Sequence, residues 1–412
     1  MPVPVHAIAT RRLRVGLLLG ALLLPLSSAA AEPPAFDVTA HGAVLSDDQP
    51  DDDAWSKCLQ AAIAAGGVCR IGPGTLTLTK YPAELRQSGT ITANRDLNGL
   101  IIEGSGEDQT TVHGTSAKGF DVFQLNAVSH LTIRNLTITS VKTTDDQTQG
   151  VNGVSLTNGS ANVTIEQVTV RKLPFVLMTG RFDGGKAFTV QQGALGAASS
   201  TDIEIRDCSV FDTPIGFGLD ADPNQMVLPG RMAIRGCRFQ NVSLGFSLSF
   251  SEKKTPGDKL PGFGLEITGN ELVDVTRVLL ISRAPDVVFT GNTVKTERLS
   301  DLPDPLAHPG IPLAIVGGPR AKIEHNSIDY QPKVAAFVVI GSARGGPNSD
   351  TLSLSDNTFT GPADVGVQAL NDGVINSRFA GNTFSGARRD RDPRLGDRRL
   401  KNAWTAKRMP RP

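Results

Sequence analysis

The chain of 412 residues carries 41 Lys and Arg side chains against 41 Asp and Glu, so its formal net charge at pH 7 is zero. A balanced charge argues against a nucleic acid as partner, because proteins that bind the phosphate backbone carry a basic excess. Two Trp and two Tyr are few for a protein that stacks many sugar rings on aromatic side chains.

The N-terminal segment predicts export. Arg11, Arg12 and Arg14 precede an apolar run, and small residues follow it up to Ala31. This order predicts a secretory signal peptide over residues 1–31, cleaved after Ala31, and therefore a periplasmic or extracellular mature protein. The apolar run is too short to cross a bilayer and no second long one follows, so we expect no membrane span.

A helix is predicted near the start of the mature chain. The acidic residues 47–53 favour its N-terminus, apolar residues such as Trp55 recur on one face, and a glycine pair ends it. Cys58 and Cys69 flank the end of this helix. Because the compartment is oxidising, we expect them to form a disulfide bond.

From about residue 100 the chain repeats an alternating apolar and polar strand, a turn and a second short strand. One turn position recurs in every repeat. It is occupied by Ser105, Leu136, Val168, Cys208, Cys237, Asn270, Asn292, Asn326, Asn357 and Asn382. Self-similarity of this kind marks a solenoid, and three short strands per repeat predict an all-β, right-handed parallel β-helix of about ten coils. A two-layer sandwich is the alternative, but its strands would not share one turn residue.

Equivalent residues of adjacent coils lie about 4.8 Å apart in a parallel β-helix. At that distance an asparagine column can pass amide hydrogen bonds from coil to coil and satisfy buried polar groups. The same distance is within reach of a disulfide, so Cys208 and Cys237 are expected either to be bridged or to remain buried thiols.

The N-terminal part of this domain resembles a known family. Residues 36–43, Phe-Asp-Val-Thr-Ala-His-Gly-Ala, precede the acidic run and the helix, and residues 71–76, Ile-Gly-Pro-Gly-Thr-Leu, follow it. This succession is similar to the N-terminus of the pectate-lyase superfamily, which includes polygalacturonases and phage tailspikes. The resemblance implies that the helix caps the open end of the β-helix. The domain is then predicted over residues 32–386, with its cap over residues 36–76.

Past Gly386 the composition turns strongly basic. Such a segment predicts a disordered tail over residues 387–412. Attraction to an anionic polymer or surface is the alternative interpretation.

Chemistry is expected on outward-facing residues of the third strand in each coil. The strands that we align cover residues 175–179, 216–220, 245–249 and 277–281. Alternation along the strand turns Asp220 and Asp222 outward, beside Ser249 and Ser251 of the next coil.

Asp220, Asp222 and Arg283 are the predicted catalytic residues. The register places Arg283 two coils after Asp222, and Arg181 one coil before it. The two carboxylates would lie about 6.6–7 Å apart, near the lower end of the range for inverting glycosidases. With a cation to neutralise the sugar carboxylate, they also suit β-elimination from a uronate or epimerisation, in which a base removes the C5 proton. Alternatively these residues form only the hydrophilic start of a turn.

The loops after these strands are long in three successive coils, at residues 180–200, 221–230 and 251–262, and short further on. Long loops beside the outward-facing residues would form a groove for an extended polymer. The residues predicted to bind substrate are Arg181, Lys186, Ser249, Ser251, Lys253 and Lys254.

Two classes of function fit the sequence. The first is a secreted enzyme that acts on an acidic polysaccharide, with a lyase favoured over a hydrolase or an epimerase. The second is a non-catalytic β-helix that binds a polysaccharide or assists its export. The Gly-His-Gly of polygalacturonases and the Asp-Pro-His-Asp of mannuronan epimerases are absent. The histidines are scattered without metal-ligand spacing, so no metal site is predicted, and calcium stays open as a cofactor.

Overall fold

The computed structural model describes residues 32–87, 93–117, 119–143, 150–178, 181–192, 200–221, 229–250, 263–304, 310–342, 348–396 and 402–405. The predicted signal peptide lies outside these residues. So do four of the predicted site residues, Asp222, Ser251, Lys253 and Lys254.

The described secondary structure consists almost entirely of short strands. The first sixteen are β1 (Ala35–Asp37), β2 (Val68–Arg70), β3 (Gly74–Leu78), β4 (Arg95–Glu103), β5 (Thr110–Ser116), β6 (Phe123–Asn126), β7 (Val128–Lys142), β8 (Val154–Thr157), β9 (Ala161–Arg171), β10 (Phe175–Met178), β11 (Arg181–Gly184), β12 (Lys186–Gln192), β13 (Thr201–Arg206), β14 (Ser209–Phe211), β15 (Ile215–Ala221) and β16 (Arg231–Arg235). Those that follow are β17 (Arg238–Phe250), β18 (Gly264–Thr268), β19 (Glu271–Ser282), β20 (Val287–Thr290), β21 (Thr293–Thr296), β22 (Leu313–Val316), β23 (Lys322–Glu324), β24 (Ser327–Tyr330), β25 (Val334–Gly341), β26 (Ser349–Asp350), β27 (Ser353–Ser355), β28 (Thr358–Ala369), β29 (Val374–Ile375), β30 (Arg378–Ala380), β31 (Thr383–Arg391) and β32 (Ala403–Thr405). The helices are α1 (Asp52–Ala65) and three short 3₁₀ turns, Val38–His41, Ala83–Leu85 and Pro393–Gly396.

Apart from the antiparallel pair β10–β11 and the separate pair β26–β29, these strands pair in parallel and form three stacks along one axis. The first stack is β1-β2-β4-β7-β9-β13-β16-β18-β20-β23-β27-β30-β32. The second stack is β3-β5-β7-β9-β14-β17-β19-β21-β24-β28-β31. The third stack is β6-β8-β12-β15-β17-β19-β22-β25-β28-β31. The predicted parallel β-helix is therefore confirmed.

Alternation of apolar and polar residues builds each stack. In β18, Leu265 and Ile267 are fully buried while Glu266 between them faces solvent. Inward residues of successive coils lie on one another, as Phe217 and Phe246 do in the third stack. The core is thus a continuous column of apolar side chains, and removing one of its aromatic rings would cost about 3–5 kcal/mol.

Helix α1 covers the N-terminal end of this column. Its apolar face is buried, and the Trp55 ring meets the Phe123 ring edge-on with centroids 6.3 Å apart. The helix ends at Gly66, whose φ of 62° is left-handed. Cys58 and Cys69 are bonded, with Cα atoms 5.6 Å apart, so the predicted disulfide is confirmed and fastens the cap to β2.

The asparagine column runs as predicted at one corner. Each side-chain Nδ2 donates to the Oδ1 of the next asparagine at 2.8–3.0 Å, and each residue is at most 8% exposed. The members of this ladder are Asn270, Asn292, Asn326, Asn357 and Asn382. Each amide also donates to a backbone carbonyl of another coil, so buried amides and carbonyls satisfy one another.

Cys208 and Cys237 continue this column as buried free thiols, so of the two alternatives the disulfide bond is wrong and the buried thiols are confirmed. Equivalent side chains of stacked coils point the same way instead of towards each other. Each thiol also has a carbonyl acceptor two residues before it: the Cys208 Sγ lies 3.2 Å from the Arg206 carbonyl oxygen, and the Cys237 Sγ lies 3.4 Å from that of Arg235. Burial and the neighbouring Cys237 raise the pKa of Cys208 well above its ordinary value.

The C-terminal segment forms part of the fold. Strand β31 continues to Arg391 and β32 pairs with β30. Leu395 is 1% exposed, and the Trp404 ring stacks on Phe379 with centroids 5.2 Å apart. The prediction of a disordered tail over residues 387–412 is wrong for these strands, because apolar side chains anchor them over the end of the core.

We predict that Asn292→Ala and Asn326→Ala each lower the free energy of unfolding by about 1–3 kcal/mol, since each leaves buried amide partners unpaired. Denaturant titration measures the change. Thr293→Ala, an exposed position beside Asn292, is the control and should stay within about 0.5 kcal/mol of the wild type. Equal tolerance at all three positions would contradict the ladder.

Candidate functional site

The outward-facing residues of the third stack form two polar rows over β6, β8, β12, β15 and β17. The first row is Gln124, Ser155, Thr189, Gly218 and Ser247, and the second is Asn126, Thr157, Gln191, Asp220 and Ser249. We call these residues the polar stripe. Beyond β17 the first row becomes apolar with Leu280, Ala314 and Val339. The stripe therefore occupies the N-terminal half of this face.

A lysine and an aspartate are in direct contact on the stripe. The Lys186 Nζ lies 2.5 Å from the Asp220 Oδ2, with the two side chains 14% and 46% exposed. A Cβ atom at Gly218 would come 2.8 Å from the Lys186 Cδ. The glycine thus leaves room for the lysine stem to lie against the sheet while its ammonium reaches the carboxylate.

A third row precedes the first two and leads to the lysine: Asp121 and Asn152 lie two residues before β6 and β8, and Lys186 begins β12. Asn152 donates its backbone N–H and its Nδ2 to the Asp121 Oδ1 at 3.0 and 2.8 Å. The Lys186 backbone N–H donates to the Asn152 Oδ1 at 3.2 Å. Burial raises the pKa of Asp121, while the hydrogen bonds from Asn152 and the charge of Lys186 act in the opposite direction. Asp121 is therefore a carboxyl whose charge is disfavoured by its surroundings.

Three polar atoms of the stripe are buried without a hydrogen-bond partner among the described residues. They are the Gln124 Oε1, the Ser155 Oγ and the Thr189 Oγ1. Buried polar atoms are normally hydrogen-bonded. Their position in one row marks this face as a place where bound water or a ligand would complete the hydrogen bonding.

The structure brings together only part of the predicted site. Asp220 and Ser249 occupy one row, as the predicted register required. Lys186 is a residue of β12 and not of a loop. Arg181 belongs to β11, which forms an antiparallel hairpin with β10. The strand beneath β15 is β12, so the alignment of residues 175–179 and the predicted row position of Arg181 are wrong.

The predicted position of Arg283 on the stripe is also wrong. Ser282 pairs with Ser249, so Arg283 lies one position further on, in the row of the buried Phe250. Its φ is 62°, and its side chain is 8% exposed in total. The predicted alignment of residues 277–281 with residues 245–249 is one residue short, because Phe246 pairs with Leu279, and this is why the extrapolated register fails here.

Sequence analysis missed Asp121 and Asn152. Each lies two residues before the first inward aromatic or aliphatic residue of its strand, Phe123 and Val154, and Lys186 has the same distance to Phe188. This common distance of two residues is a signal that the sequence contains. It can be recognised only when the start of β12 is known, because the distance is counted from the first inward residue of each strand.

A depression of about 540 Å³ also lies on the first stack, where the small side chain of Ala233 leaves space. Its charged side chains neutralise one another: Arg231 lies 2.6 Å from Asp202, and Arg235 lies 2.7 Å from Glu266. This surface is a set of exposed ion pairs and offers less to a charged ligand than the polar stripe.

Within the ranges described, no group of three His, Cys, Asp or Glu side chains could hold a metal ion. In the same residues, no helix has the length and apolar character needed to cross a membrane.

No family model and no curated protein matches this chain. Among solved structures it is similar to the A-module of the mannuronan C-5 epimerase AlgE6 of Azotobacter vinelandii, with 17% identity, a TM-score of 0.50, and 91% of this chain and 100% of that one covered. The Dettilon tailspike protein gp208 shares 13% identity at a TM-score of 0.52, over 89% of this chain and 70% of its own. PfbA, a surface adhesin of Streptococcus pneumoniae, shares 13% identity at a TM-score of 0.52, over 90% of this chain and 93% of its own. These likenesses establish the fold: the chain is a parallel β-helix protein. Its place in the pectate-lyase superfamily stays a prediction.

We predict that Asp121→Asn stabilises the protein at neutral pH. The amide retains the oxygen that accepts both N–H groups of Asn152 and removes a charge that is unfavourable when buried. Because the pKa of Asp121 is raised in the folded state, the wild type loses stability as the pH rises through that pKa. The stability gained by Asp121→Asn should therefore vanish at pH values below the ordinary pKa of aspartate.

Chemical unfolding at a series of pH values measures this effect. Asp301→Asn, at an exposed position, is the control and should change the free energy of unfolding by less than about 0.5 kcal/mol. Destabilisation by Asp121→Asn at every pH would show that the charge itself is needed.

Proposed function

We propose that this chain acts on an acidic polysaccharide that lies along the polar stripe, and that it removes the C5 proton of a uronate residue as a lyase. The contact between Lys186 and Asp220 is the observation that carries the proposal. It puts a cation and a base within one strand spacing on a face that is otherwise lined by hydroxyls and amides.

The direction of the stripe supports an extended polymer as ligand. Its rows run along the axis of the β-helix, so successive coils present similar polar groups at intervals of about 4.8 Å. A chain of sugar residues parallel to the axis would meet one such group after another.

The chemistry follows from the two charged groups. An ammonium has three N–H donors, so Lys186 can keep its contact with Asp220 and also bind the uronate carboxylate. Neutralising that carboxylate makes the C5 proton easier to remove, and Asp220 would accept it. The electron pair then forms the C4–C5 double bond as the C4–O4 bond breaks, and the leaving oxygen takes a proton from water. Return of a proton to C5 from the other side would give epimerisation instead.

A non-catalytic polysaccharide-binding protein is the second candidate. The observation that favours it is that the two rows of the stripe consist, apart from Gly218 and Asp220, of hydroxyl and amide side chains, which can bind sugar hydroxyls without chemistry. We propose for either candidate that the mature protein works in the periplasm or outside the cell. Calcium is a proposed cofactor without assigned ligands.

The test is an assay of the purified mature protein on a panel of uronate polymers in deuterated water. Ultraviolet absorbance reports unsaturated ends, a reducing-end assay reports hydrolysis, and proton NMR reports deuterium at C5. Each assay is run with calcium and with a chelator. We predict that Asp220→Asn and Lys186→Gln each lower turnover by about a hundredfold or more, a typical value for a positioned base or charge stabiliser.

Lys295→Gln and Glu297→Gln are matched controls, because these residues form an exposed pair 3.0 Å apart on another part of the surface. They should leave turnover unchanged. Binding without turnover, with affinity that falls in salt, would favour the second candidate. Wild-type activity and wild-type binding in both stripe variants would refute the proposed site.

A further inference from the structure

The polar stripe continues past β6 towards the N-terminal cap. Arg86 forms a parallel bridge with Asn126, the first residue of the second row. The Gln87 N–H donates to the Asn126 carbonyl oxygen at 2.9 Å, and the Asn126 Nδ2 donates to the Gln87 carbonyl oxygen at 2.7 Å. Residues 86–87 therefore add one more step to the third stack, and Arg86 lies in the row that leads to Asp220.

Arg86 is stacked on an aromatic ring. The centre of its guanidinium lies 4.1 Å from the centroid of the Tyr81 ring. Tyr81 is 38% exposed and is the one aromatic side chain among the exposed large apolar residues of the described chain. Such stacking holds the guanidinium in place but leaves its planar N–H groups able to donate.

No carboxylate within the described ranges pairs with Arg86, and its Nε is buried without a hydrogen-bond partner there. Arginines of the first stack differ: Arg134 lies 2.7 Å from Glu103, and Arg320 lies 2.8 Å from Asp286. Arg86 is thus a positioned cation at the end of the stripe whose charge is not neutralised by a described neighbour.

A depression of about 310 Å³ lies beside Tyr81, with Lys80 on its rim. The carboxylates that line it already accept hydrogen bonds or contact a cation. Asp52 accepts the backbone N–H of Thr79 at 3.0 Å, Glu84 accepts the Ser56 hydroxyl at 2.6 Å, and Asp53 lies 3.9 Å from the Lys80 Nζ. This depression leaves room beside the tyrosine for one sugar ring.

We propose that Tyr81 and Arg86 form a remote subsite for an acidic sugar residue of the polymer that Lys186 and Asp220 bind. Arg86 is four strand spacings from Asp220 along the second row, or about 19 Å. The guanidinium would hold the carboxylate with two parallel hydrogen bonds, and the sugar ring would lie against Tyr81. This inference rests on the proposed function. It implies that a ligand must exceed a minimum length to occupy both sites.

Calorimetric titration with uronate oligosaccharides of increasing length tests the subsite. Oligosaccharides too short to reach from Asp220 to Arg86 should bind wild type, Arg86→Gln and Tyr81→Ala alike. Longer ones should bind the wild type more tightly, and both variants should lose about tenfold in affinity. Arg86→Lys keeps the charge without the planar pair of donors and should recover only part of the loss.

Arg378→Gln and Leu299→Ala are matched exposed controls and should behave as the wild type. Thermal unfolding of each variant shows whether the fold is retained. If the wild type binds none of the oligosaccharides, the proposed function and this inference both fail. If it binds them without regard to length, or if Arg86→Gln binds the long ones normally, the subsite alone is refuted.

Discussion

The stacking of coils in register is the constraint on which the rest of this structure depends. Each coil must place its strands about 4.8 Å from those of the last coil, and a slip by one residue would turn the core outward. The buried amides from Asn270 to Asn382 hold that register at one corner, because each oxygen accepts from the coil before it. The helix with the Cys58–Cys69 bond closes one end of the core, and Trp404 covers the other.

The same register decides what each face presents to solvent. On the first stack, Arg70, Glu103, Arg134 and Glu166 alternate along one row and neutralise one another. Exposed pairs of this kind add little stability, and they also leave little charge to attract a ligand. The third stack instead has few charges set among hydroxyls and amides. This is the face on which we propose that the polysaccharide lies.

The parallel β-helix, the cap and the asparagine column could be predicted from the sequence because their signals are local and repeat in every coil. The site was predicted in part. A hairpin inserted before Lys186 hid the start of its strand, and residues 277–281 were aligned one residue out of register with residues 245–249. Nearness in the column did not imply a bond between Cys208 and Cys237, because side-chain direction also matters. The prediction for the C-terminal segment relied on its basic composition and did not weigh Leu395 and Trp404, which pack on the core.

The central claim is that an acidic polysaccharide lies along the third stack, parallel to the axis of the β-helix. A crystal structure of the mature protein with a uronate oligosaccharide long enough to span the stripe tests it most directly. The account predicts sugar density that runs from Ser249 towards the N-terminal cap, with one carboxylate on the Lys186 ammonium and one C5 atom facing Asp220. Density on the first stack, or a sugar chain that crosses the coils away from Lys186, would contradict it.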